Sequence, residues 1–444
     1  MLLLCMSMSA CGNGRGGGKD SSGNSREGEV EITWWVSYST AYTVYFDELI
    51  EQFNELHEGE YHVTQLYNGG DDELRTKVAT TEQKELPNLI VGTPMATAYF
   101  DEQENIVPVQ KFIDEDEEDW TGEIYDAVKD SYRNAEGEMI GVPLGVGCPG
   151  YYVNVDMLKK AGYTVDDITS YEKIAKIASD IVSKKVATYG ISHYYGYDLA
   201  DALTLQGVHF YDNENGHAGE PTKSLIKEGA TYDALKKYME TYASLYKDGV
   251  AYSYKGDLKA EILPSFVQGD LAMLGATTSY VSQIVDLQPD FKWQFVSTLA
   301  VDDNATYKGA AMCEGHGLYL VDNGNEKAMQ GAYEFLKFMA QPESQAYWCM
   351  NTGYLPYTEE AYANADYQAW MKENFPDAVK MKEKFLAPPE GLKAPYSYLI
   401  SAVQDACNIC KDYMFADPTQ NLDEVIGWAY DSMEEAIEIN AIRK

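Results

Sequence analysis

Gly-Val-Pro-Leu-Gly-Val-Gly-Cys-Pro-Gly, residues 141–150, decides how this chain folds. Its glycines and prolines argue against a regular helix or a central strand, because glycine favours irregular backbone and proline donates no ladder hydrogen bond. Residues 151–155, Tyr-Tyr-Val-Asn-Val, then have the aromatic and β-branched composition of a strand. A short helix over 156–161 follows and ends at Gly162. A flexible crossing that feeds a new strand and helix predicts a hinge between two lobes.

The next helix is predicted from its start signal and its apolar face. Thr169 and Glu172 stand three residues apart, which is the capping-box spacing. Apolar residues then recur at helical intervals: Tyr171, Ile174, Ala175, Ala178, Ile181 and Val182. The crossing therefore opens a second unit of strands and helices.

The chain before the crossing also alternates strands with helices. Strands are predicted over 30–36, 61–67 and 86–92, with amphipathic helices between them. This order implies right-handed βαβ units and a parallel sheet, whose ligands meet the loops after the strands' carboxyl ends. Those loops are residues 37–42, 68–72 and 93–98.

Length and charge limit the functional classes. The 444 residues are enough for two or three domains with substantial cores. The 71 Asp and Glu exceed the 34 Lys and Arg, for a net charge of −37, which disfavours nucleic acid and anionic membrane surfaces as partners. The same charge disfavours phosphorylated ligands unless a local basic pocket exists.

The first residues predict an exported, anchored protein. Residues 1–10 are apolar, too short to span a bilayer, and end in Met-Ser-Ala before Cys11. Small residues directly before Cys11 resemble a bacterial lipobox, so we expect a lipid on Cys11 and a position on the outer face of the cytoplasmic membrane or in the periplasm. Residues 12–28, rich in Gly, Ser and Asn, are predicted to be a flexible tether.

The cysteines do not predict a disulfide framework. Beyond the leader five remain, and an odd number cannot all pair with one another. Cys407 and Cys410 stand three apart in a helical pattern without a second pair nearby. A buried helix face is the favoured interpretation, with zinc or redox chemistry as the alternative.

Landmarks in a familiar order cover most of the chain after residue 29. They are Pro-Asn-Leu-Ile (87–90), Tyr-Tyr-Val-Asn-Val-Asp (151–156), Phe-Val-Gln-Gly-Asp-Leu-Ala-Met (266–273), the Gly-rich turn and strand 310–320, and Thr-Gly-Tyr-Leu-Pro (352–356). In these the chain resembles the extracellular solute-binding proteins of ABC sugar importers, the maltose-binding and glycerol-3-phosphate-binding relatives.

The resemblance implies an α/β fold of two periplasmic-binding-protein-like lobes. Each lobe would be a mixed, mostly parallel sheet flanked by helices, with the ligand cleft between the lobes. The implied division is 1–29 for signal and tether, 30–143 plus 312–352 for the N-terminal lobe, and 144–311 plus 353–444 for the C-terminal lobe. The lobes would close on a solute by hinge bending. Membrane permease subunits would be the protein partners of a monomer that is anchored only by its lipid.

A carbohydrate site needs flat apolar faces for sugar rings and oriented polar groups for hydroxyls. The ring candidates are Trp35, Tyr38, Tyr42, Tyr195, Tyr354 and Tyr396. The candidates for polar and turn contacts are Ser37, Asn68, Asp72, Thr93, Asp198, Thr278, Ser279, Glu314, Gly315 and His316. The tyrosines at 194–197 also fit packing against the following helix, and the pattern does not decide between the two roles.

Other activities find little support in the motifs. No G-x-S-x-G or H-E-x-x-H occurs, and the Gly-x-Gly at 145–147 precedes a strand instead of following one, against a dinucleotide site. Glu314 and His316 form an acid–base pair in one interpretation and hydrogen-bond a solute or cap a turn in the favoured one. We expect no catalysis, cofactor or metal. The alternatives are a surface glycoside hydrolase, a peptide-binding lipoprotein, or a glycerol-3-phosphate-binding protein that uses Lys393.

Overall fold

The computed structural model describes residues 28–38, 40–117, 119–134, 136–194, 196–252, 258–307, 314–386, 390–395 and 399–443. Nine strands lie in these ranges: β1 Val30–Val36, β2 Tyr61–Tyr67, β3 Leu89–Gly92, β4 Ile106–Val107, β5 Gly141–Gly147, β6 Pro149–Asn154, β7 Met273–Thr277, β8 Trp293–Ser297 and β9 Glu314–Val321. They form two sheets, one of six strands and one of three.

Nineteen α-helices surround the sheets within the described ranges. They are α1 Thr40–Leu56, α2 Asp71–Thr80, α3 Thr97–Asp101, α4 Gln110–Ile113, α5 Asp126–Lys129, α6 Val155–Ala161, α7 Tyr171–Ser183, α8 Tyr197–Gln206, α9 Asp212–Asn215, α10 Gly229–Lys247, α11 Leu258–Val267, α12 Val281–Leu287, α13 Glu326–Ala340, α14 Pro342–Thr352, α15 Glu359–Ala363, α16 Ala365–Asn374, α17 Ala378–Leu386, α18 Ile400–Ala416 and α19 Leu422–Arg443. Of the helices described, none combines the length and the apolar character needed to cross a membrane.

The six-stranded sheet has the order β2-β1-β3-β9-β4, with β5 also paired to β9. The three strands predicted before the crossing do pair in parallel through β1. The expectation of a mostly parallel sheet is nevertheless wrong in detail. β9 returns along the chain from the second lobe and runs antiparallel to β3, β4 and β5.

The second sheet, β7-β6-β8, is antiparallel at both of its ladders. Parallel pairing beside it is confined, among the described residues, to single bridges such as Tyr189 to Leu271. Side chains alternate across β6, so that Tyr152 packs against Trp293 and Phe295 on one face, whereas Tyr151 and Val153 pack into a separate hydrophobic cluster on the other. This small sheet is therefore covered on both faces.

The crossing at 141–150 carries the chain from one sheet to the other, as predicted, but it is more regular than its composition suggests. Residues 141–147 form the fully buried strand β5. A register break between Pro143 and Gly145 accommodates the proline in the ladder with β9, and Val146 also exchanges two backbone hydrogen bonds with Leu355. Cys148 is the single residue between β5 and β6. The prediction that this stretch excludes a regular strand is wrong, because a strand tolerates proline beside an irregularity in its ladder.

The helices near the crossing test the local predictions. The helix before Gly162 is confirmed as α6, and Gly162 has the left-handed backbone of a helix end, with φ +89°. The buried face predicted for α7 is confirmed, whereas its start is one residue off. Ser170 accepts the hydrogen bond from the backbone of Lys173, and Thr169 instead donates to Asp303. The face with Cys407 and Cys410 is confirmed as buried, with both thiols free.

The segment after β9 contacts both sheets. α14 packs against α1 and β5 of the first sheet and against α12, which follows β7. Further on, the backbone amide of Tyr125 donates a hydrogen bond to the carbonyl oxygen of Tyr357, and Asp377 accepts a hydrogen bond from the backbone of Phe295 in β8. The division of the chain into 30–143 plus 312–352 and 144–311 plus 353–444 stays a prediction.

Asp201 of α8 is a fully buried carboxyl whose oxygens make no hydrogen bond within the described residues. Burial raises the pKa of Asp201 well above its ordinary 3.8, which nearby Thr298 only partly offsets. The unfolded chain ionises this group above about pH 4, so it costs stability as the pH rises.

Asp201→Asn is therefore expected to stabilise the protein, by about 1–3 kcal/mol at pH 8, the range for a buried unsatisfied group. The gain should shrink towards pH 4, and urea unfolding at the two pH values measures it. Asp286→Asn on the exposed side of α12 is the control. An equal effect of Asp201→Asn at both pH values would contradict the assignment.

Candidate functional site

Three polar side chains from separate strand ends meet at one edge of the large sheet. Ser37 directly follows β1, Asp71 is the first residue of α2, and His316 lies near the start of β9. The Ser37 hydroxyl donates a short hydrogen bond to the Asp71 carboxylate. The Nε2 atom of His316 lies 3.3 Å from both carboxylate oxygens, and it is the donor because a carboxylate only accepts. We call Ser37, Asp71 and His316 the polar cluster.

The polar cluster holds Asp71 ionised. Burial by itself raises the pKa of Asp71, but the His316 ring, the Ser37 hydroxyl and Arg75 outweigh burial and lower the pKa to about 2. Its side chain is still 39% exposed. A fixed, partly open carboxylate of this kind is a hydrogen-bond acceptor for a solute hydroxyl.

A wall of aromatic rings lies beside the polar cluster. The Tyr38 ring packs 4.4 Å from the His316 ring and 5.5 Å from that of Trp348, centroid to centroid. Trp348 stacks on Phe46 at 4.4 Å and on Tyr354 at 6.1 Å. Tyr38 and Tyr354 were predicted to offer sugar-stacking faces, but they are only 6% and 8% exposed. Neighbouring rings cover them, so they support the site more than they face solvent.

The second lobe meets the first next to these rings. The Tyr42 hydroxyl donates to the backbone oxygen of Ser279 at 3.3 Å and accepts from Gln283 at 3.0 Å. The Thr278 hydroxyl accepts from the backbone of Cys148 at 3.2 Å, and the Thr277 and Ser279 hydroxyls lie 2.6 Å apart. The predicted residues Tyr42, Thr278 and Ser279 are thus brought to the junction of the lobes.

The start of α2 carries most of the charge at this edge. Asp72 is largely exposed and pairs with Arg75, and Lys77 hydrogen-bonds to Asn68. The Lys77 ammonium lies 4.3 Å above the Trp35 ring, which leaves Trp35 only 6% exposed. Arg75, Lys77 and Trp35 therefore each already have a partner within the protein.

α18 of the second lobe faces α2 and the turn Pro94–Ala96 that follows Thr93. Contacts join α18 to this turn. Burial, and next the Asp72 carboxylate, raise the pKa of Asp405 on α18, while Arg75 lowers it. The Thr93 backbone oxygen itself accepts from the Tyr319 hydroxyl at 3.2 Å. The two lobes consequently approach each other here with carboxylates on both sides.

Asp198 is a correction to the predicted site. Its carboxylate is 3% exposed and lies 2.6 Å from the ammonium of Lys411, which is also buried. A charge that a buried partner neutralises is unavailable to a solute, so Asp198 supports the second lobe from within. Cys11, Tyr195 and Tyr396 lie outside the described residues.

Two predicted residues belong to the return strand β9. The backbone of Glu314 pairs with Gly147. Gly315 has φ +129°, and a side chain there would collide with the backbone oxygen of Gly145. Gly315 therefore shapes the entry to the strand that carries His316.

Sequence reasoning missed Asp71 and Trp348. Asp71, Asp72 and Glu73 all lie in the first turn of α2, where the helix dipole favours acidic side chains, so this signal does not separate Asp71 from Asp72. Trp348 gave no signal of its own, because an aromatic residue inside a helix most often belongs to the core. The place of Trp348 in the aromatic wall becomes visible only in the structure, where α1, β5 and residue 354 pack around α14.

The polar cluster is not arranged for nucleophilic catalysis. Asp71 lies between Ser37 and His316, whereas an activated serine needs the histidine as its direct hydrogen-bond partner. Across the described ranges, no three His, Cys, Asp or Glu residues are grouped so that they could hold a metal ion.

Comparison with known proteins identifies the family. The model of the bacterial extracellular solute-binding protein family matches residues 48–376, well over half of the chain. The sn-glycerol-3-phosphate-binding periplasmic protein UgpB of Yersinia enterocolitica is 25% identical over 375 residues, covering 81% of each chain. The chain belongs to the bacterial extracellular solute-binding protein family.

Solved structures confirm the fold. An ABC substrate-binding protein from Listeria monocytogenes in complex with cycloalternan aligns with a TM-score of 0.72 at 17% identity, over 92% of this chain and 99% of that one. UgpB from Mycobacterium tuberculosis in complex with glycerophosphocholine aligns with a TM-score of 0.69 at 17% identity, over 90% and 99%. The two-lobed periplasmic-binding-protein-like α/β fold expected from the sequence is confirmed.

Proposed function

We propose that this protein captures a neutral sugar or oligosaccharide between its lobes and delivers it to the permease subunits of an ABC importer. The observation that carries the proposal is the polar cluster, placed beside an aromatic wall where the two lobes meet. Fixed acceptors and donors match the hydroxyls of a sugar, and the packed rings beside them hold these groups in place. Hinge closure would bury the solute between the two sheets.

Charge favours a neutral ligand over a phosphorylated one. Arg75 pairs with Asp72, Lys77 is held by Asn68 and Trp35, and Lys393 lies 3.7 Å from Glu214. Asp71 adds a permanent negative charge, in a chain of net charge −37. A phosphate would have to displace these partners and approach the carboxylates.

Glycerol-3-phosphate or a related phosphodiester is the second candidate. It is supported by the relatives whose names state that they bind it, among them the Yersinia enterocolitica protein. The two candidates differ in charge, so one titration separates them.

Titration of intrinsic fluorescence is expected to give saturable changes with neutral glycans. The chain has seven tryptophans, and Trp348 lies at the lobe junction. Maltotriose, cycloalternan, glycerol-3-phosphate and glycerophosphocholine form a suitable panel. Saturation by the phosphorylated compounds, with none by any glycan, would reject the sugar assignment in favour of the second candidate.

The remaining features of the proposal concern location and chemistry. Cys11 would carry a lipid that anchors a monomer to the outer face of the cytoplasmic membrane, with residues 12–28 as the tether. No bond would be broken, in contrast to a surface glycoside hydrolase. Metabolic labelling with a fatty acid in wild type and Cys11→Ser, and an assay for released reducing ends, test these two points.

A further inference from the structure

The buried ammonium of Lys411 on α18 donates hydrogen bonds to the segment that follows Ile191. The Lys411 ammonium donates to the Asp198 carboxylate at 2.6 Å and to the backbone oxygen of Tyr194 at 2.8 Å. Both charged side chains are nearly fully buried. Ion pairs in such positions are weak evidence for stability, because desolvation cancels much of their attraction. The second hydrogen bond, to the backbone of Tyr194, indicates that Lys411 also holds this segment of the backbone in place.

One helical turn earlier, Asn408 holds the same loop on the other side of residue 195. Its side-chain oxygen accepts a hydrogen bond from the Gly196 amide at 2.9 Å. A Cβ on Gly196 would lie 2.7 Å from both that oxygen and the Gln404 amide nitrogen. The Cβ atom of Cys407, which cannot swing away as those side-chain ends can, would lie at 2.9 Å, so the backbone of Gly196 rests directly on α18.

The start of α18 is fixed by a strained turn. The Tyr211 hydroxyl donates to the backbone oxygen of Leu399, directly before the helix, at 3.2 Å. The buried Asn215 donates to the backbone oxygen of Lys393 at 2.8 Å. Asn215 and its two predecessors in α9 all have positive φ, between +52° and +62°. Left-handed backbone at non-glycine residues persists only where the surroundings enforce it.

The same helix also reaches the first lobe. It packs on the turn Pro94–Ala96, and Asp405 lies within electrostatic range of Asp72 and Arg75. α18 thus contacts both the backbone of Tyr194 and Gly196 in its own lobe and the turn Pro94–Ala96 of the opposite lobe.

We propose that Lys411 and Asn408 are positioning residues, which fix the backbone of Tyr194 and Gly196 near the junction of the lobes and thereby set the affinity for solute. The expected effect on solute affinity rests on the proposed function. The expected effect on the backbone around residues 194 and 196 does not, since it concerns contacts within the protein alone.

Two variants of the full chain test the inference. Lys411→Met alone would leave Asp198 buried without its partner and is at risk of unfolding, so the first variant is the double change Asp198→Asn with Lys411→Met. The second is Asn408→Ala. Lys237→Met is the matched control, because Lys237 lies 2.6 Å from Asp302 in the same lobe without touching the loop.

Hydrogen exchange of peptides covering 193–199, measured without ligand, reports the loop directly. We expect faster exchange there in both test variants, with the rest of the second lobe and the control unchanged. Maltotriose and cycloalternan, titrated in parallel, should bind about tenfold more weakly to both test variants and equally well to the control.

Unchanged exchange at 193–199 overturns the inference, and so does exchange that rises throughout the lobe. Unchanged affinity for a glycan that the wild type binds also overturns it. If the wild type binds neither glycan, the proposed function fails, and affinity for whichever panel compound does bind takes the place of the glycan measurement. The exchange result decides the loop contacts in either case.

Discussion

Trp348→Ala is expected to lower the free energy of unfolding by about 3–5 kcal/mol, the range for deleting a large buried aromatic side chain. Trp348 is 1% exposed and stacks on Phe46 and Tyr354. The substitution would leave a cavity between α1, the loop with Tyr38 and Tyr354. The surrounding groups could close this cavity only in part. Urea unfolding followed by circular dichroism measures the loss.

Trp348→Phe is the control, since it keeps a ring between Phe46 and Tyr354. It should cost clearly less than the alanine change. Because Tyr38 packs on both Trp348 and His316, the alanine variant should also bind glycans more weakly than the phenylalanine variant. A loss below about 1 kcal/mol would contradict the description of this wall as the core of the site.

Asp71→Asn is expected to weaken glycan binding by tenfold or more, because a hydrogen bond to a charged group contributes about 1.5–3 kcal/mol. The change keeps the size of the side chain but removes the charge that Ser37 and His316 hold in place. Isothermal titration with the tightest-binding compound of the panel measures it.

Asp72→Asn is the matched control one residue away, and it should change affinity much less, because its carboxylate pairs outward with Arg75. The opposite ranking would return the site to Asp72, the residue that sequence reasoning selected. A difference this sharp between adjacent carboxylates cannot arise from net charge alone.

The pH dependence of stability gives an independent check on Asp71. Its folded pKa of about 2 lies below the ordinary 3.8, so the unfolded state binds the proton more tightly. Its contribution is therefore fully present above about pH 4 to 5 and is lost as the pH falls towards 2. Asp71→Asn should flatten that part of the melting-temperature profile, although exposure to solvent limits the amplitude.

The alternation of strands and helices was enough to predict the parallel core β2-β1-β3, and the helix start and stop signals were enough to predict α6 and α7. The pairing of β9 was not predictable in the same way. Strand direction there depends on where the chain returns from the second lobe, and no local pattern encodes that. The burial of Pro143 in β5 has the same cause, since only the pairing with β9 reveals the register break that accommodates the proline.

For the candidate site, the sequence predicted which loops contribute residues, but it did not predict which way their side chains point. Ser37 and His316 were predicted and lie together, but the loop 68–72 offered two adjacent carboxylates, and only the contacts of Asp71 with Ser37 and His316 distinguish them. Asp198 looked like a loop residue in the sequence, and its partner Lys411 lies far along the chain. Contacts at such separations depend on packing that composition does not record.

The position of β9 also has a consequence for biosynthesis. Leu89 of β3 pairs with Leu320 of β9, and β9 separates β3 from β4. The ribosome must therefore translate the whole of the intervening lobe before the amino-terminal sheet can be completed. Pairings this distant along a chain slow folding, which would keep the nascent polypeptide open long enough for a secretion channel to accept it.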